Sequence, residues 1–70
     1  MELRPDLKHM IAKKAALDAE IEGMSKLFRY RGFADLSEAE KAGMEKQFRA
    51  MQDYSEALED RIGALSAMAV

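Results

Sequence analysis

Seventy residues with a formal charge of −2 make room for one small domain and argue against a general nucleic-acid binder. The absence of cysteine removes disulfides, and a single histidine leaves no zinc site of ordinary type. No apolar run approaches the length of a membrane span, and the N-terminus carries no signal-type apolar segment, so the expected setting is cytoplasmic and away from membranes.

The first arm begins at Pro5-Asp6, where a missing N–H costs nothing and an acid meets the positive end of a helix dipole. Apolar residues then recur in steps of three and four, at Leu3, Leu7, Met10, Leu17, Ile21, Met24 and Phe28, with Lys14 in the one polar slot. The pattern predicts a helix over about residues 5–31. Basic residues at Arg29 and Arg31 suit its last turn, and Gly32 is placed for a left-handed cap. Phe33 should pack back on the helix end. Residues 32–36 form the corner, and Ser37 with Glu40 reads as a capping box opening a second helix over about 37–67.

The second arm repeats the rhythm at Met44, Phe48, Met51, Leu58, Ile62 and Leu65, with Ser55 as its polar slot. A corner this short forces the arms antiparallel, which brings Leu17 near Ser55 and Met10 near Ile62. Lys14 and Ser55 then interrupt the seam at neighbouring levels. Residues 1–32 carry a charge of +2 and residues 33–70 a charge of −4, so the arms attract. The fold class is all-α: a two-helix antiparallel hairpin. Two helices meeting along one seam bury little surface, and self-association into a homodimer or homotetramer, a helical bundle, is the expected remedy. The closing Ala-Met-Ala-Val is expected to fray.

Catalysis has little to draw on. There is no cysteine nucleophile, glycine-rich phosphate loop or metal-ligand spacing, so no enzyme and no cofactor are expected. The informative feature is a line on the second arm, Gln47, Tyr54 and Arg61, bordering the seam beside Met51. Tyrosine offers a flat face, arginine a planar fork, and glutamine an amide with donor and acceptor, a set able to stack a base and hold a phosphate. The same residues could instead make interhelical contacts that fix oligomeric state. A second candidate is Phe28-Arg29-Tyr30-Arg31-Gly32-Phe33, where cations alternate with aromatics; Arg31 and Phe33 are its candidate ligand residues, against the plainer reading as a helix end. Lys14 in the seam must snorkel towards Asp18 or Asp60, or meet a ligand's negative charge. Gly23, Gly43 and Gly63 inside helices suggest close backbone approach between chains.

The corner Phe33-x-x-Leu36-Ser37-x-x-Glu40, followed by Gln47, Met51, Tyr54, Leu58 and Arg61-Ile62, resembles a family of short helical-hairpin proteins of crAss-like and other tailed phages. That family includes "sponges", oligomeric anti-defence (anti-CBASS) proteins that bind cyclic nucleotide messengers of bacterial immunity. The resemblance covers about residues 15–63 and departs from the family's more acidic pattern at Arg29 and Arg31. It implies sequestration of a cyclic dinucleotide such as cGAMP at a subunit interface in the host bacterial cytoplasm, with Gln47, Met51, Tyr54 and Arg61 lining or supporting the pocket. The rival reading is a helical adaptor that binds a host or phage protein through an apolar groove.

Overall fold

The computed structural model describes residues 5–68, so Leu3 of the first seam and the terminal Ala69-Val70 lie outside it. Helix α1 spans Pro5–Leu27, a 3₁₀ turn spans Arg31–Asp35, and helix α2 spans Glu38–Met68. The two helices pack against each other along their length, and among the described residues there is no strand.

Both helix starts follow local chemistry. Asp6 accepts the backbone N–H of Leu7 at 3.0 Å in the first turn of α1. At α2 the Ser37 hydroxyl accepts the N–H of Glu40 at 3.1 Å, while the Ser37 carbonyl takes the first helical bond from Lys41 at 3.0 Å.

The corner departs from the sequence expectation. Helix α1 ends at Leu27 rather than near residue 31, so Arg29 and Arg31 lie beyond the last turn. The end is tightened by three-residue bonds, Arg29 N–H to Lys26 carbonyl and Tyr30 N–H to Leu27 carbonyl, both 3.1 Å, which satisfy carbonyls a left-handed cap would otherwise serve. Gly32 accordingly has no positive φ. Its bare Cα has another use, because a Cβ there would stand 2.7 Å from the Tyr30 ring. Aromatic packing goes with the early stop: Phe28 meets Phe33 and Phe48 edge-on, each with ring centroids 5.1 Å apart. Phe33 does pack back on the helix end.

The seam is as the periodicity predicts. Leu7, Met10, Leu17, Met24 and Leu58 are buried, and Ile21, Met51, Ile62 and Leu65 close around the central cluster. The two polar slots are joined. Ser55, 8 % exposed, donates its hydroxyl to Asp18 Oδ1 at 2.5 Å, and Lys14 Nζ holds Asp18 Oδ2 at 2.7 Å. Lys14 therefore turns to Asp18, not Asp60.

This cluster sets a pH dependence. Hydrogen bonds from Lys14 first and Ser55 second hold the Asp18 carboxyl below its ordinary value, and the bond to Asp18 raises Lys14 above its own. The unfolded chain thus takes up a proton at Asp18 before the native one does, so this contribution to stability is present above the ordinary carboxylate range and lost as acid titrates the native group. On the alkaline side Lys14 contributes fully below its ordinary 10.5 and is lost as pH rises through its raised value. The expected melting profile is flat around neutrality and falls below about pH 4, less so in Asp18→Asn than in the parent. Thermal melts followed by circular dichroism from pH 2 to 7 check it.

Gly23, Gly43 and Gly63 have nothing within 4 Å of a built Cβ, so no close approach inside the hairpin explains them. Gly63→Ala should stabilise the folded state by about 1 kcal/mol, the ordinary helix-propensity difference, as measured by urea unfolding.

Candidate functional site

The hairpin has two broad faces. On one, Lys14 stands with Ile11, Ala15, Asp18, Glu59 and Ile62 around a shallow hollow of about 320 Å³. On the other, a groove of about 510 Å³ runs between the helices, lined by Glu20, Met24 and Leu27 of α1 and by Met44, Gln47 and Met51 of α2. Leu27 and Met44 also line a cup of about 160 Å³ at the corner with Tyr30, Gly32, Phe33 and Leu36, so groove and cup are continuous.

Gln47, Tyr54 and Arg61 recur every seven residues on α2 and so share one line along it, and all three are exposed. Gln47 and Met51 border the groove directly. Tyr54 follows one heptad on, 42 % exposed, with Lys13 Nζ 5.5 Å from its ring centroid. At that distance the ammonium is attracted to the negative face of the ring. Among the described residues no carboxylate pairs with Arg61.

The structure puts Gln47, Met51, Tyr54 and Arg61 on one side of the hairpin, with Gln47 and Arg61 about 21 Å apart along α2 at about 1.5 Å per residue, and it separates Lys14 from them. Lys14 faces the other side and is bound to Asp18. The cation on the tyrosine side is its neighbour Lys13, one step of about 100° around the helix. Lys13, Glu20 and Leu27 form the matching seven-residue line on α1, a signal present in the sequence and missed there. Phe33 lies at the far end, half-buried against Phe28 with Lys41 Nζ 5.9 Å from its ring, and so serves the corner. Arg31 is exposed in the 3₁₀ turn and lines neither groove nor cup.

No group of three or more His, Cys, Asp or Glu able to hold a metal occurs among the described residues, and no described helix is long and apolar enough to cross a membrane. What the face offers is an aromatic platform, two cations, an amide and an apolar trough. Those are means of holding an anionic, partly aromatic molecule.

The fold is that of a small two-helix hairpin protein. The Sequestin family model matches residues 4–64, nearly the whole chain, and the chain belongs to that family. It is thus placed among proteins named for sequestration. No curated protein and no solved structure matches it.

Proposed function

We propose that this protein sequesters a cyclic oligonucleotide messenger of bacterial immunity, a cyclic dinucleotide such as cGAMP, at an interface between subunits and without chemistry, so that a phage encoding it evades the host's defence. The observation that supports this most is Tyr54, exposed on a face with Lys13 over its ring and with Gln47 and Arg61 on the same line. A cyclic dinucleotide presents two phosphates and two flat bases. Tyr54 stacks a base, Arg61 and Lys13 meet phosphate oxygens through charge-assisted bonds, and Gln47 pairs with a base edge. Of these residues Gln47 lines the groove, whose volume lies within the range of small-molecule sites. Family membership points the same way, since holding a ligand out of circulation needs affinity and no catalytic group.

The test is a thermal-shift and calorimetric panel of cyclic dinucleotides, cyclic trinucleotides and cyclic ADP-ribose isomers against the purified protein. One ligand should raise the melting temperature at micromolar concentration and be recovered intact on denaturation. No shift across the panel overturns the proposal, and so does recovery of a cleaved nucleotide.

A further inference from the structure

Three aromatic rings stand at the corner, and only two of them serve the fold. Phe28 and Phe33 pack edge-on, and Phe28 also meets Phe48. Tyr30, between them in the chain, is 68 % exposed, more than Leu27 or Tyr54. A ring this open adds little to packing inside the hairpin.

The ring is nevertheless held. Its Cε1 and Cδ1 atoms lie 2.7 and 3.0 Å from where a Cβ on Gly32 would stand, well inside the roughly 3.5–4.0 Å at which carbons rest. The Tyr30 edge therefore sits on bare Gly32 backbone, and any side chain there would displace it. The backbone around it is fixed too. The Tyr30 N–H donates to the Leu27 carbonyl at 3.1 Å, and the Tyr30 carbonyl accepts the Phe33 N–H at 3.0 Å. Gly32 has no positive φ, so room for this ring is what its missing side chain provides.

Tyr30 forms one side of the corner cup of about 160 Å³, with Leu27, Phe33, Leu36 and Met44. That volume falls below the roughly 300–1,000 Å³ of sites that enclose a whole small molecule. It suits a single flat ring, and the lining is almost wholly apolar, so stacking and burial would hold the occupant. The cup opens into the groove through Leu27 and Met44, which the two share. Gln47 lies three residues from Met44, about 4.5 Å along α2, beside that opening. Tyr54 lies ten residues away, about 15 Å, at the other end.

Charge narrows the class of occupant. From Phe28 to Ala34 the chain carries two cations, Arg29 and Arg31, and no acid. Both are exposed, and among the described residues no carboxylate pairs with either. Asp35 ends the turn and offsets half of that charge, while Lys41, near the Phe33 ring, is paired with Glu38 at 3.5 Å. An apolar slot for one ring, with free guanidinium groups on both sides of its tyrosine in the chain, suits a flat base that carries a phosphate.

We propose that the corner cup is a base subsite: Tyr30 stacks one base of a cyclic nucleotide lying in the groove, and Gly32 seats the Tyr30 ring. The nature of the ligand rests on the function proposed above; the place of this base is new.

The chain has two tyrosines and no tryptophan, so either tyrosine can be made the sole emitter. In Tyr54→Phe only Tyr30 emits. Titration with cGAMP, c-di-AMP and c-di-GMP, corrected for nucleotide absorbance against free tyrosine amide, should quench it for each nucleotide that binds, with the midpoint calorimetry gives. Tyr30→Ala should weaken binding about 5- to 150-fold, and Tyr30→Phe should stay within a few-fold of the parent. Gly32→Ala keeps the tyrosine but unseats its ring. Affinity should fall several-fold and the quenching of Tyr30 should weaken, with the helical circular dichroism unchanged. Replacing Arg29 and Arg31 together by Gln should lower affinity at low salt, and the difference should shrink as salt rises. Binding with Tyr30 emission unquenched, and with parental affinity in Tyr30→Ala and Gly32→Ala, overturns the subsite and leaves the proposed function standing. Failure of the parent to bind any of the three nucleotides overturns both.

Discussion

Tyr54→Ala and Arg61→Ala should each weaken cyclic nucleotide binding severely while leaving the helical circular dichroism as it was. Both side chains are exposed, so neither contributes much to packing inside the hairpin, and surface substitutions of this kind change folding stability by about 0.5 kcal/mol or less. Binding is another matter. Stacking of a base on an aromatic ring is worth about 1–3 kcal/mol, or roughly 5- to 150-fold in affinity. A hydrogen bond to a charged group contributes about 1.5–3 kcal/mol. Tyr54→Phe keeps the ring and should retain most of the affinity. Lys14→Ala should leave it within a few-fold of the parent, because Lys14 lies on the opposite side with Asp18. Calorimetric titration of the four variants checks this. Equal losses in Lys14→Ala and Tyr54→Ala would show that the wrong face has been assigned.

Leu58→Ala should remove a large share of the folding stability. Leu58 is 1 % exposed and packs at the centre of the cluster with Met10 and Leu17. Truncating a buried leucine costs about 2–5 kcal/mol, since the removed atoms lose their burial and the cavity closes only in part. A chain of 70 residues has about 4–10 kcal/mol of stability altogether. At the middle of both ranges the substitution removes about half of it. Leu65→Ala, at a partly buried position, should cost less. Urea unfolding followed at 222 nm measures both, and a loss below about 1 kcal/mol at Leu58 would contradict the seam described here.

The seam was legible because side chains at steps of three and four must share one helix face, whatever they pack against. Leu17 beside Ser55 and Phe33 against the helix end followed from that spacing and a short corner. The end of α1 was not legible. Arg29, Arg31 and Gly32 carry the usual marks of a helix terminus, yet the aromatic contacts of Phe28 with Phe33 and Phe48 accompany a stop at Leu27, and three-residue bonds replace the left-handed cap. Tertiary packing overrode local propensity there. The candidate face was legible in part. Gln47, Tyr54 and Arg61 lay on one line by arithmetic, but assigning Lys14 to it required knowing which flank of α1 lies beside that line. Adjacent residues differ by about 100°, enough to exchange Lys14 for Lys13.

The bridge from Lys14 through Asp18 to Ser55 has a consequence for how such a protein can change length. Asp18 is gripped from its own helix at one oxygen and from the facing helix at the other. Slippage of one helix past the other by a turn would take the Ser55 hydroxyl away from Asp18 and part Lys13 from Tyr54. Insertions or deletions outside the bridge can therefore be absorbed in whole heptads, lengthening or trimming the free ends. A single residue gained between Ser55 and the corner rotates the rest of α2 by about 100° and turns the binding line away from its partner helix. Variation among similar hairpins should accordingly gather at their ends, with the corner-to-bridge distance held constant.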